Sequence, residues 1–156
     1  MYKNLCIIII SAFTLLSCGY SSLHNQNNYF DFAISKFTIE GEREINNFIE
    51  KKLEKYFNDQ SVNKFEVNLV TDYSELILVK DRKGNATDIK LVVDIDLNYK
   101  KLTKENKNYV NSLSYRETFT IKKDENNYDQ KNYEKIVKRE MTQLIINKII
   151  FELSKK

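Results

Sequence analysis

Asp88-Ile89-Lys90-Leu91-Val92-Val93-Asp94-Ile95-Asp96-Leu97-Asn98-Tyr99-Lys100 is the stretch on which the fold turns. Its odd positions hold Ile89, Leu91, Val93, Ile95, Leu97 and Tyr99, and its even positions hold Lys90, Val92, Asp94, Asp96, Asn98 and Lys100. Successive strand side chains point to opposite faces. Alternation this long therefore predicts a strand with one buried face and one polar face. A charged tip, TKENKN at residues 103–108, follows. Residues 109–121 then return with Leu113, Tyr115, Phe119 and Ile121 on one face, which predicts an antiparallel hairpin.

On the N-terminal side, residues 30–39 (FDFAISKFTI) are rich in aromatic and β-branched residues and read as a first strand. Gly41 punctuates the chain. Residues 42–57 follow at helical spacing, with Ile45, Phe48, Ile49, Leu53, Tyr56 and Phe57 on one face. Glu42 and Glu44 precede Lys51, Lys52 and Lys55, an order that complements the helix dipole. Residues 64–73 (KFEVNLVTDY) predict a second strand, and residues 75–80 (ELILVK) extend it beyond a break near 72–74. A turn follows at residues 81–85, where Gly84 and Asn85 tolerate positive φ.

On the C-terminal side, Asp129 is a plausible N-cap. Beyond it Tyr133, Ile136, Val137, Met141, Leu144, Ile145, Ile149 and Leu153 recur at helical spacing, flanked by Ile146 and Ile150. A helix of about 24 residues would be roughly 36 Å long. Its apolar stripe is the mate that the sheet's apolar face needs. The element order β-α-β-β-β-α predicts an α+β fold, a two-layer sandwich with two helices on one face of a four-stranded mixed or antiparallel sheet.

Composition excludes several classes of function. The 156 residues include 25 Lys and Arg against 22 Asp and Glu, and a net charge of +3 is too small to argue for nucleic acid. Two Cys exclude a disulfide scaffold, and one His leaves little for a His/Cys metal site. No glycine-rich phosphate loop is present. Asp94 and Asp96 share a polar strand face, but no nucleophile or histidine accompanies them, so a solvated face is the expected reading and no catalytic residue is assigned.

The N-terminus carries the strongest motif. Met1-Tyr2-Lys3-Asn4 is a short basic start, and residues 5–16 form an apolar run interrupted only by Ser11 and Thr14. Twelve residues are too few to span a bilayer but match the apolar region of a signal peptide. The run ends in Leu15-Leu16-Ser17-Cys18-Gly19, which resembles the bacterial lipobox. The resemblance implies cleavage after Ser17, a diacylglyceryl thioether on Cys18, and acylation of the new N-terminus, palmitate included. Two or more acyl chains anchor a protein stably. Gly19 stands where Asp resembles an inner-membrane retention signal, so the expectation is the periplasmic side of the outer membrane. Residues 1–17 are thus expected to be the signal peptide, 18–29 the lipidated cysteine and polar tether, and 30–156 one domain. Cys6 would leave with the signal peptide, and His24 lies in the tether.

The ordered set resembles the LptE family of lipopolysaccharide-assembly lipoproteins. The features are the lipobox running into Cys18-Gly19-Tyr20, the first strand and a helix containing Ile45-Asn46-Asn47-Phe48-Ile49, the turn Lys83-Gly84-Asn85-Ala86-Thr87, the long alternating strand, a return strand with Ser114-Tyr115-Arg116, and the long last helix. The family's usual prolines are missing. The resemblance implies a non-catalytic plug and assembly partner of the outer-membrane β-barrel LptD that binds lipopolysaccharide on its way to the surface. A polar sheet face suits the polar lumen of such a barrel, and phosphate groups favour Lys and Arg. Candidate contacts are Lys80, Arg82 and Lys83 at the turn after strand two, and Lys101 and Lys104, with Lys100 and Lys107, at the hairpin tip. The same cations also suit solvated turns. No cofactor beyond the acyl chains and no metal is expected. Another outer-membrane lipoprotein adapter, such as a cell-wall synthase activator, fits the anchor too, although ten tether residues reach only roughly 33–36 Å. An anchored enzyme is the third class, with Asp94 and Asp96 as its only conceivable couple.

Overall fold

The computed structural model describes residues 32–57, 61–102, 110–123 and 127–155. The signal peptide, Cys18, the tether and Lys104 lie outside the described residues. Four strands, β1 (Phe32–Gly41), β2 (Asn63–Lys80), β3 (Ala86–Leu102) and β4 (Val110–Lys122), form one sheet in the order β1-β2-β3-β4. Two helices complete the fold, α1 (Arg43–Leu53), which tightens into a 3₁₀ turn at Glu54–Tyr56, and α2 (Asn127–Ser154). This is the expected α+β order.

The alternation that predicted β3 decides the core. Leu91, Val93, Ile95 and Leu97 are fully buried. The antiparallel register sets Leu69 of β2 opposite Leu97, and Tyr115 of β4 opposite Ile95. Odd positions of three strands therefore make one apolar floor. Ile45, Ile49 and Leu53 of α1, and Val137, Met141, Ile145, Ile146, Ile149 and Leu153 of α2, cover it. Phe32 stacks on Tyr56 at 4.7 Å and closes the end beneath the 3₁₀ turn. Ala33 and Val92 are exceptions: both are buried although they lie on the opposite face.

β1 runs parallel to β2, and α1 makes the crossover that parallel pairing requires. The hinge of that crossover is crowded. Gly41 has φ +113°, and a Cβ there would meet the Thr71 carbonyl oxygen at 1.9 Å. The Glu42 side chain caps α1 by accepting from the Ile45 N–H at 2.6 Å. Buried Thr71 accepts from the Glu42 N–H at 3.0 Å and donates to Asn46 Oδ1 at 2.6 Å.

Three boundaries differ from the sequence reading. β2 has no break at 72–74 but runs unbroken to Lys80, because β3 pairs with it throughout: Asp72, Tyr73 and Ser74 face Asp94, Val93 and Val92. Asp129 lies inside α2, which starts at Asn127. α1 ends at Leu53, and Phe57 is left 41% exposed.

Candidate functional site

The turn from β2 to β3 is built around Asp81. Its carboxylate accepts from the backbone N–H of Lys83 at 2.8 Å and of Asn85 at 2.9 Å, and from the Asn85 side chain at 3.1 Å. These bonds, led by the one from the Asn85 backbone, hold the carboxyl below its ordinary range. Gly84 takes φ +86° at a point open to solvent, so glycine is there for its backbone freedom. The result is a small ordered platform from which Lys80, Arg82 and Lys83 project, all exposed.

The second predicted cluster is at the other end of β3. Lys101 faces Phe65 of β2 and is half-buried, whereas Lys104 and Lys107 lie outside the described residues. β3 is 17 residues long, so Lys101 lies roughly 50 Å from the turn that carries the first cluster. The structure does not bring Lys101 to that turn.

At that far end the register assembles a group the linear sequence hides. Lys36 of β1 pairs with Glu66 of β2, and Glu66 pairs with Lys100 of β3. The three lie side by side across the open face and, with Thr38, Asn68 and Asn98, line a shallow depression of about 300 Å³. Lys36 was not singled out from the sequence. It lies thirty residues from Glu66, and only the parallel pairing of β1 with β2 joins them.

Two cross-strand side-chain pairs tie β3 to β4 on the open face. Arg116 of β4 donates from Nε and Nη2 to the two Asp94 oxygens at 2.6 and 3.0 Å, and the Ser114 hydroxyl donates to Asp96. Each is a directly opposed pair in the register. The Asp94 carboxylate raises the pKa of Arg116 further. Both carboxylates are thus engaged in cross-strand pairs. Among the described residues no three His, Cys, Asp or Glu side chains gather as a metal site.

α2 shows a face the sequence pattern merged into its stripe. Tyr133, Ile136, Leu144 and Phe151 are about half exposed or more, although the first three were expected in the core. Residues 145, 149 and 153 turn to the sheet, and these others turn outward beside β4. Tyr115, Leu144 and Phe151 form an apolar groove whose rim carries Lys148 and Lys155, each paired with a carboxylate, Glu117 and Glu152 respectively. Both sides of α2 are apolar, so periodicity alone could not tell which is buried.

The geometry can bind polar and anionic groups at either end of the sheet and apolar groups beside α2. No protein-family model and no curated protein sequence matches the chain. Solved structures do match it. The crystal structure of rare lipoprotein B from Shewanella oneidensis aligns with a TM-score of 0.56 at 10% identity, covering 76% of this chain and 93% of that one. The solution structure of an uncharacterized lipoprotein B from Nitrosomonas europaea aligns with a TM-score of 0.53 at 14% identity, covering 80% and 86%. The chain shares the fold of these bacterial lipoproteins. At such identities the likeness concerns the fold, and the candidate residues stand on their own geometry.

Proposed function

We propose that this chain is an outer-membrane lipoprotein, anchored through acyl chains on Cys18, that plugs or helps assemble an LptD-like barrel and binds lipopolysaccharide on its way to the cell surface. The observation that carries the reading is the β-α-β-β-β-α fold, shared with solved lipoproteins B, in a chain whose N-terminus resembles a lipobox. The chemistry supports it. The open sheet face carries polar groups such as Asp94 and Asp96, held in cross-strand bonds, which suits a water-filled barrel lumen. The exposed Lys80, Arg82 and Lys83 on an ordered turn suit phosphate groups, and the apolar groove beside α2 suits acyl chains.

Affinity purification of the anchored protein tests the reading. A large outer-membrane barrel should be recovered, and depletion of the protein should lower surface lipopolysaccharide. Recovery of soluble periplasmic partners alone, or cell-wall lysis with normal surface lipopolysaccharide, would overturn it in favour of a different envelope adapter.

A further inference from the structure

β1 covers the edge of β2 only as far as the pair Gly41–Thr71. β2 continues to Lys80, paired to β3 alone, so from Asp72 onward its other edge carries no strand among the described residues. Alternate residues there direct N–H and C=O groups outward. Leu76, Ile77, Leu78 and Val79 on this edge are 47 to 55% exposed. The chain has no proline to block pairing. A free edge with four consecutive half-exposed aliphatic residues is a template for another strand.

The charges on the segment say which strand. Glu75 stands at one end of the aliphatic run and Lys80 at the other. An antiparallel copy of the segment, centred between Ile77 and Leu78, sets Glu75 opposite Lys80 twice, Leu76 opposite Val79 twice, and Ile77 opposite Leu78 twice. Asp72 before the run and Arg82 and Lys83 after it continue the same polarity. A parallel copy would oppose like charges.

The backbone fits this register. Ile77 faces Ile89 and Val79 faces Asp88, so Leu78 is one extra residue, a bulge. In a regular strand Glu75 and Lys80, five apart, would lie on opposite faces. The extra residue restores them to one face, which a two-fold antiparallel pair requires of directly opposed residues.

We propose that two copies of this chain associate through antiparallel pairing of residues 75–80, continuing one sheet into the next around a two-fold axis. The pairing needs neither lipopolysaccharide nor a barrel. Only six residues a side pair directly, so the contact is weak and concentration-dependent.

Reversing one charge at a time tests it. Glu75→Lys places Lys against Lys80, and Lys80→Glu places Glu against Glu75. The test is sedimentation of the full chain in density-matched detergent over a concentration series, with circular dichroism to verify folding. The wild-type chain should dimerise, each single variant should associate about tenfold more weakly or less, and an equimolar mixture of the two should regain dimers, since both pairs then become attractive. A wild-type chain that stays monomeric throughout, or single variants that associate as the wild type does, would overturn the proposal.

Discussion

The end of β1 lies against β2 so closely that a Cβ at Gly41 would sit 1.9 Å from the Thr71 carbonyl oxygen. The φ of +113° adds backbone strain for any L side chain. Gly41→Ala should therefore destabilise the domain by about 2–4 kcal/mol, read as a lower denaturant midpoint at unchanged slope. A change below about 0.5 kcal/mol would mean that β1 and the start of α1 shift freely.

Thr71 also joins the two elements through its hydroxyl, which contacts the Glu42 N–H and Asn46 Oδ1. Thr71→Val keeps the shape and removes both bonds. A loss of about 1–3 kcal/mol is expected, together with faster amide exchange at Glu42. Exchange unchanged at Glu42 would show that its second acceptor, the Thr71 carbonyl at 3.3 Å, suffices.

Glu44 on α1 meets Lys138 at 2.7 Å and Lys135 at 3.1 Å on α2. The hydrogen bond from Lys138 leads in lowering its pKa from 4.5. A carboxyl lowered on folding contributes stability above its unfolded value, lost as pH falls through the folded one. Glu44→Gln should thus destabilise the protein at pH 7, by less than about 1 kcal/mol because the pair is partly exposed. The difference should fade below about pH 4.5. Thermal melts that differ equally at pH 7 and pH 3 would contradict this.

Asp94 and Arg116 form a cross-strand pair in which the arginine is largely exposed. Asp94→Asn should lower stability by no more than about 1 kcal/mol and leave surface lipopolysaccharide normal in complementation. Abolished function in a stably folded Asp94→Asn chain would move this face from structure to chemistry.

Lys101 and the basic turn lie at opposite ends of β3, roughly 50 Å apart. Arg82→Ala with Lys83→Ala, and Lys101→Ala with Lys104→Ala, should each weaken lipopolysaccharide binding on their own. Their effects should add to within about 0.5 kcal/mol in a titration. Strong coupling between them would mean that one ligand bridges the sheet.

Much of this was legible because its physics is local. Alternation in residues 88–100 and helical spacing after residue 133 report which side chains can share a face, so the strands, the last helix and most of the core followed directly. The supposed break at 72–74 failed because polar Asp72 and Ser74 sit on the open face of a strand that β3 supports along its length. Tyr133, Ile136 and Leu144 were misplaced because a helix apolar on two sides has no unique inner side until a sheet is set against it. Lys36 was invisible because its neighbours come from strands thirty and sixty-four residues away.

By itself the sequence determined the order of elements, the apolar face of each strand and the lipobox-like N-terminus, since each depends on residues within a few positions. Only the tertiary structure decided that β1 pairs parallel to β2 and stops at Gly41, opposite Thr71, that Lys101 and the basic turn occupy opposite ends of β3, and that residues 72–80 carry no second strand among the described residues. Those outcomes depend on strand register and on which groups exclude water from which, and neither is fixed until distant segments meet.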